Sequence, residues 1–356
     1  GGVTAERWLP GAIVSIFHPR EPWPVEDEYI WKNDLNDVIA VVPVIADSQV
    51  YVETHNGLAA ISQQTGSLNW QRKIDLTGSA NIAAGNGFVA AGTPNGVVVL
   101  KGDSGEKVWN YTSLFASPQS VIIAQDRLYA SFAFKEACTF DLPTGEILWC
   151  SSEPGKQHSL PDMVLAGSHL VLVQSERIYA LNSESGQVEW ETQLDDVLFK
   201  PAVVGVDQVV VNGDKAIYSI NTTDGQILWQ TPSGGKGTGF PLVVDDRVFW
   251  VARIFETQST SVQAADVKSG ELLWAVDTDT EIISQPLASD GQVLWVRASY
   301  PFWKSLLLYD VETGQEITKK RFRAPIYQPF YGIGPVVDSG TLYLVSGSRI
   351  VAYEYE

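Results

Sequence analysis

The sequence predicts an all-β fold, an eight-bladed β-propeller of four-stranded antiparallel blades in which an N-terminal strand completes the last blade. Three observations predict it: a Gly followed four residues later by Trp recurs about every 40 residues, each period holds four β-rich runs, and the two chain ends carry complementary fragments of one repeat.

The pair appears at Gly66/Trp70, Gly105/Trp109, Gly145/Trp149, Gly186/Trp190, Gly225/Trp229 and Gly270/Trp274. Gly314 is followed by Thr318 where Trp is expected, and Trp31 stands 39 residues before Trp70 with Asp27 in the glycine position. Successive Trp spacings from Trp31 are 39, 39, 40, 41, 39 and 45 residues. Each Gly follows a small or short polar residue (Thr65, Ser104, Thr144, Ser185, Asp224, Ser269, Thr313), the signature of a tight turn. The polar side chain bonds its own backbone while Gly takes positive φ without a Cβ clash.

Six positions before Gly stand Ala60, Val99, Thr139, Ala180, Ser219, Ala264 and Leu308, and four before stand Ser62, Lys101, Asp141, Asn182, Asn221, Asp266 and Asp310. This is period-two strand logic, one residue facing the core and the next-but-one capping the turn. Trp31, Trp70, Trp109, Trp149, Trp190, Trp229 and Trp274 are therefore read as structural docking residues on outer strands, wide rings filling the gap between diverging blades.

Two earlier runs in each period, such as 38–46 and 49–54, precede 58–62 and 67–73, so every repeat supplies four strands. The last repeat reaches Ala352 and Glu354 and then stops short of its fourth strand, while the segment around Trp31 is an orphan fourth strand. Joining the two removes exposed sheet edges. The expected organisation is an N-terminal extension, 1–28, and a single propeller domain, 29–356.

Composition sets the function classes. With 356 residues, 45% hydrophobic and 19% charged, the chain can bury a large core. A net charge of -18 repels phosphate backbones, which argues against nucleic-acid partners. The one compact basic run, Lys319, Lys320, Arg321 and Arg323, reads as a solvated loop. No apolar run approaches the roughly 18 residues of a membrane span. The chain starts Gly1-Gly2-Val3, and a removed signal or lipid-anchor segment would leave no trace in it.

At these residues the chain resembles the PQQ-like repeat superfamily, with its Ala-x-Asp-x-x-Thr-Gly-x-x-x-Trp repeat, over about 30–356. The resemblance implies the tryptophan-docked propeller but no single activity, since such blades serve quinoprotein dehydrogenases, assembly lipoproteins and sensor domains. The dehydrogenases sandwich their quinone with a vicinal disulfide, whereas Cys138 and Cys150 are the only cysteines here and are not adjacent. There is also no Cys-x-x-Cys-His haem signature and no dense carboxylate loop for Ca²⁺. No cofactor, no metal and no catalytic residue are predicted.

In size and architecture the chain is most similar to the BamB family, the propeller lipoproteins of the outer-membrane β-barrel assembly machinery. In that family a Leu-rich partner-binding loop follows the third blade's Trp. Here the stretch 150–162 replaces it, and only Leu160 matches. The resemblance implies a monomeric, non-catalytic, protein-binding scaffold in the periplasm or cell envelope. A PQQ-dependent oxidoreductase and a ligand-sensing propeller domain are the alternatives.

The remaining chemistry is sparse. His18, His55, His158 and His169 are scattered, and 234–239 (Gly-Gly-Lys-Gly-Thr-Gly) lacks phosphate-loop spacing and reads as a flexible connection between blades. Cys138 and Cys150 lie about equally far from one turn, either as a disulfide or as two buried free thiols. Asn110-Tyr-Thr and Asn221-Thr-Thr are glycosylation sequons only where the source glycosylates.

The best site hypothesis rests on two long loops, 254–260 and 299–304, between second and third strands. Such loops share a face with the blade-to-blade connections. Phe255, Tyr300, Phe302, Trp303 and Arg323 are therefore expected to line one partner-binding rim, aromatic and Arg residues being the types enriched in binding hot spots. The competing reading has them folded back as a local cap.

Overall fold

The computed structural model of the protein describes residues 29–76, 82–113, 117–132, 135–151, 162–257, 259–278, 281–282, 287–299, 304–322 and 334–354. They form eight antiparallel sheets, blades 1 to 8, over 44–73, 83–112, 118–151, 162–193, 198–232, 236–278, 281–322, and 336–354 with Tyr29–Asp34. In blade 7 the first strand is split into Glu281–Ile282 and Ala288–Ser289, both paired to Val293–Ser299. Elsewhere each blade has four strands.

The ring closes as expected. Tyr29–Asp34 pairs antiparallel with Arg349–Glu354, placing Trp31 opposite Ala352. Eight separate hydrophobic clusters form, one at every junction between neighbouring blades. One of them joins Trp31, Tyr343 and Ile350 of blade 8 to Val50, Val52 and Ile61 of blade 1. Face-to-face burial of these sheets supplies the main stabilisation.

The repeat residues meet across the strands. Ala60, Val99, Thr139, Ala180, Ser219 and Ala264 lie opposite Trp70, Trp109, Trp149, Trp190, Trp229 and Trp274. A small side chain thus makes room for each indole. In blade 7 the sizes invert, Leu308 facing Thr318.

Each indole then crosses to the next blade. All seven Nε1 groups donate to a carbonyl three residues before the neighbouring turn glycine, from Gln63 for Trp31 to Val311 for Trp274, at 2.6–3.0 Å. The ring covers the glycine itself: a Cβ on Gly66, whose φ is +69°, would stand 2.5 Å from Cδ2 of Trp31. That position therefore needs glycine for conformation and for space.

A reinforcing device was not evident from the sequence. Gln49 Nε2 donates to Gly102 O, the carbonyl that already receives Trp70, at 2.7 Å, and Gln208 does the same at Val267 O beside Trp229. Arg127 Nη1 reaches Ser183 O beside Trp149 at 3.1 Å. The second lone pair of the docked carbonyl is used in each case.

One expectation changes and one open alternative is decided. The Gly-rich stretch predicted as a flexible connection is built into a strand, Lys236–Val244, in which Gly237 pairs with Ala252. A Cβ on Gly237 would meet Gly213 O at 1.9 Å, so this glycine serves close approach to blade 5. The cysteines are joined: Cys138 and Cys150 are direct partners across the hairpin of blade 3 and form a disulfide, Cys138 buried and Cys150 exposed.

Candidate functional site

The up-and-down blade sets two faces. Turns joining first to second and third to fourth strands lie on one face, while second-to-third loops and blade-to-blade connections lie on the other.

The turn face carries ion pairs. Glu106, Glu184, Asp246 and Glu312 expose 63–67% of their side chains there, Glu106 paired with Lys101, Glu184 with Arg127, and Asp246 and Glu312 with Arg247. Asp266 and Asp310 cap their own turns, and hydrogen bonds from Ser269 and Thr313 hold their carboxyls below the usual range. These groups are occupied with local structure.

Of the residues expected on the loop face, Phe255 is described. Phe255 is 52% exposed, in the turn between the second and third strands of blade 6. The Arg253 guanidinium lies over its ring at 5.5 Å from the centroid. A cation stacked on an exposed ring keeps the phenyl group ordered toward solvent. Tyr300, Phe302, Trp303 and Arg323 lie outside the described residues, as does most of the 150–162 stretch.

On the neighbouring blade the same face exposes Val197, at 46%. It sits in the connection from blade 4 to blade 5, which Asp196 ties down. That carboxylate, 3% exposed as a residue, accepts bonds from Lys215 N, Ala216 N and the Tyr218 hydroxyl at 3.0–3.1 Å. Burial, with Asp196 alongside, pushes the Tyr218 hydroxyl up to about 12. Directly across the ring, Asp37 accepts from Asn56 N at 3.0 Å. Burial opposes its ionisation, but bonds from Thr54 and Asn56 prevail and keep its carboxyl below the usual range. The pattern Leu-x-Asp-Val, at 35–38 and 194–197, was the sequence signal for these clamps.

On this face the blade 6 turn thus presents Phe255 to solvent, and the clamped connection from blade 4 to blade 5 presents Val197. Among the described residues, no three His, Cys, Asp or Glu side chains converge in a metal-holding group. No helix of the described residues is long and apolar enough to cross a membrane.

An eight-bladed ring with an indole docked on each turn glycine defines a propeller of the PQQ-like repeat class. The profile of the family described as "Outer membrane protein assembly factor BamB" matches 25–192, 133–250, 178–300 and 258–356, and the chain belongs to that family. It is similar to the protein of that name from Yersinia pestis, 27% identical over 279 residues, covering 71% of this chain and 69% of the relative. The same-named Shewanella oneidensis protein is 26% identical over 185 residues, which span 46% of each chain, under half the relative's length. Among solved structures, BamB from Moraxella catarrhalis aligns with TM-score 0.72 at 15% identity, covering 92% of this chain and 99% of that one. Quinohemoprotein alcohol dehydrogenase from Comamonas testosteroni aligns at 0.67 and 11% identity, covering 92% and 76%. At such identities these likenesses show the fold alone.

Proposed function

We propose that this protein is a non-catalytic, monomeric scaffold in the periplasm or cell envelope that binds a protein partner during outer-membrane protein assembly. The observation that carries the reading is the family match from 25 to 356, which names an assembly factor and spans all eight blades. The partner docks on the loop face, where Phe255 and Arg253 project, joined by Tyr300, Phe302, Trp303 and Arg323 of the adjoining loops. The physical support is that Phe255 and Val197 stand in solvent on this face, and covering exposed apolar groups is favourable.

The test is genetic and biochemical together. Removing the gene from the source organism is expected to lower the amount of outer-membrane β-barrel proteins, and the wild-type gene to restore it. Phe255→Ala combined with Arg253→Ala should fold with an unchanged melting temperature yet restore less. Unchanged barrel levels after deletion would refute the assembly role, and full rescue by the double variant would remove the rim. Tight binding of pyrroloquinoline quinone with Ca²⁺ in a calorimetric titration would instead favour an oxidoreductase.

A further inference from the structure

The disulfide of blade 3 has two unequal ends. Cys138 and Cys150 stand opposite each other on the third strand, Lys135–Asp141, and the outer strand, Ile147–Ser151. Cys138 is 0% exposed, packed among Ala83 and Val97 of blade 2, whereas Cys150 is exposed. A thiolate attacks in line with the S–S bond, and access decides which sulfur it meets. This bond crosses the hairpin. Approach to Cys138 Sγ runs over the second strand, where Ala130 is 0% exposed, while beyond Cys150 the sheet has ended. The strand carrying Cys150 is also less firmly docked on its other face. Trp149 is partly buried, where Trp31, Trp70, Trp190, Trp229 and Trp274 are 5–9% exposed. Opposite it, Thr139 Oγ1 is buried without a hydrogen-bond partner, whereas Ser219, at the same position of blade 5, accepts from Gln208 Nε2 at 2.6 Å. The covalent link offsets what this docking lacks.

We propose that Cys150 is a thiol-exchange site, and that exchange there unfastens the strand carrying Trp149. The reacting class is a thiolate, from a small thiol or from the dithiol of an oxidoreductase. Its sulfur bonds Cys150 Sγ as the bond to Cys138 breaks; Cys138 leaves with the electron pair and takes up a proton. The product is a mixed disulfide on Cys150. A second thiol attacking the incoming sulfur then releases Cys150, so the protein gains two electrons and two protons and the reagent ends as its own disulfide. This chemistry involves neither the loop face nor the assembly role.

The folded full chain, incubated with glutathione, quenched with acid, then unfolded, alkylated and mapped by mass spectrometry, tests the site. Molecules with glutathione on Cys150 and an alkylated Cys138 should outnumber the reverse arrangement about tenfold, since access separates the two sulfurs. Equal amounts, or exchange only in denaturant, would overturn the assignment. The faster of glutathione and a dithiol oxidoreductase lacking its resolving cysteine, trapped on the same sulfur, identifies the source of the thiolate. After dithiothreitol, amides of 147–151 should exchange about tenfold faster while those of 227–232 in blade 5 keep their rate. Unaltered exchange at 147–151 would refute the unfastening. Equal acceleration in both blades would do so too, making the disulfide a brace for the whole ring.

Discussion

Replacing one indole by phenyl should cost different amounts at different blades. Trp70→Phe and Trp190→Phe remove the same N–H and the same ring volume from comparably buried positions, 6% and 8% exposed. After Trp70→Phe, Gly102 O still holds the amide of Gln49 at 2.7 Å. After Trp190→Phe, Thr222 O loses its indole donor, and His169, at the position of Gln49, is turned toward Glu189 at 3.2 Å. A buried carbonyl left without a donor costs about 1–3 kcal/mol. Trp190→Phe should therefore be the more destabilising by about 1 kcal/mol, on the order of 2 °C in melting temperature for a chain of this size. Urea titrations followed by circular dichroism would measure it. A double-mutant cycle of Gln49→Ala with Trp70→Phe should show coupling of about 1 kcal/mol, because removing both donors orphans the carbonyl. Equal losses for the two Trp variants, with no coupling, would refute the account of shared carbonyls.

Other outcomes follow from the same geometry. Gly225→Ala should destabilise by about 2 kcal/mol or more, since its φ is +72° and a Cβ would lie 2.4 Å from Cε3 of Trp190; a denaturation midpoint matching wild type would contradict this. Reducing Cys138–Cys150, whose loop spans 12 residues, should lower stability by at most about 3 kcal/mol and leave the ring folded at 25 °C, as near-ultraviolet circular dichroism with dithiothreitol would show. Tyr51 and Tyr218 are both pushed up to about 12 chiefly by burial. They keep their protons where unfolded tyrosines, near 10, have lost them, so stability present below pH 10 should drain away between pH 10 and 12. Tyr218→Phe should flatten part of that loss.

The amino-acid sequence alone determined the blade count, the strand plan and the closure. Those features rest on local chemistry repeated many times: turn glycines, period-two strands and the Trp31 fragment that matches the unfinished last repeat. Opposite sizes at one pair of positions, such as Ala60 with Trp70, were legible because neighbouring strands keep a fixed register. Tertiary structure decided what depends on contacts between blades that are distant in sequence. It showed that Gln49 shares with Trp70 a carbonyl of the next blade, and that Asp196 clamps the turn of blade 5. It also placed 236–239 of the Gly-rich stretch in a strand, since composition reports glycine's freedom but not the backbone of blade 5 that presses against Gly237. A single repeat specifies its own hairpins, whereas which polar atoms meet across a junction depends on the angle between two sheets, and no local pattern encodes that angle.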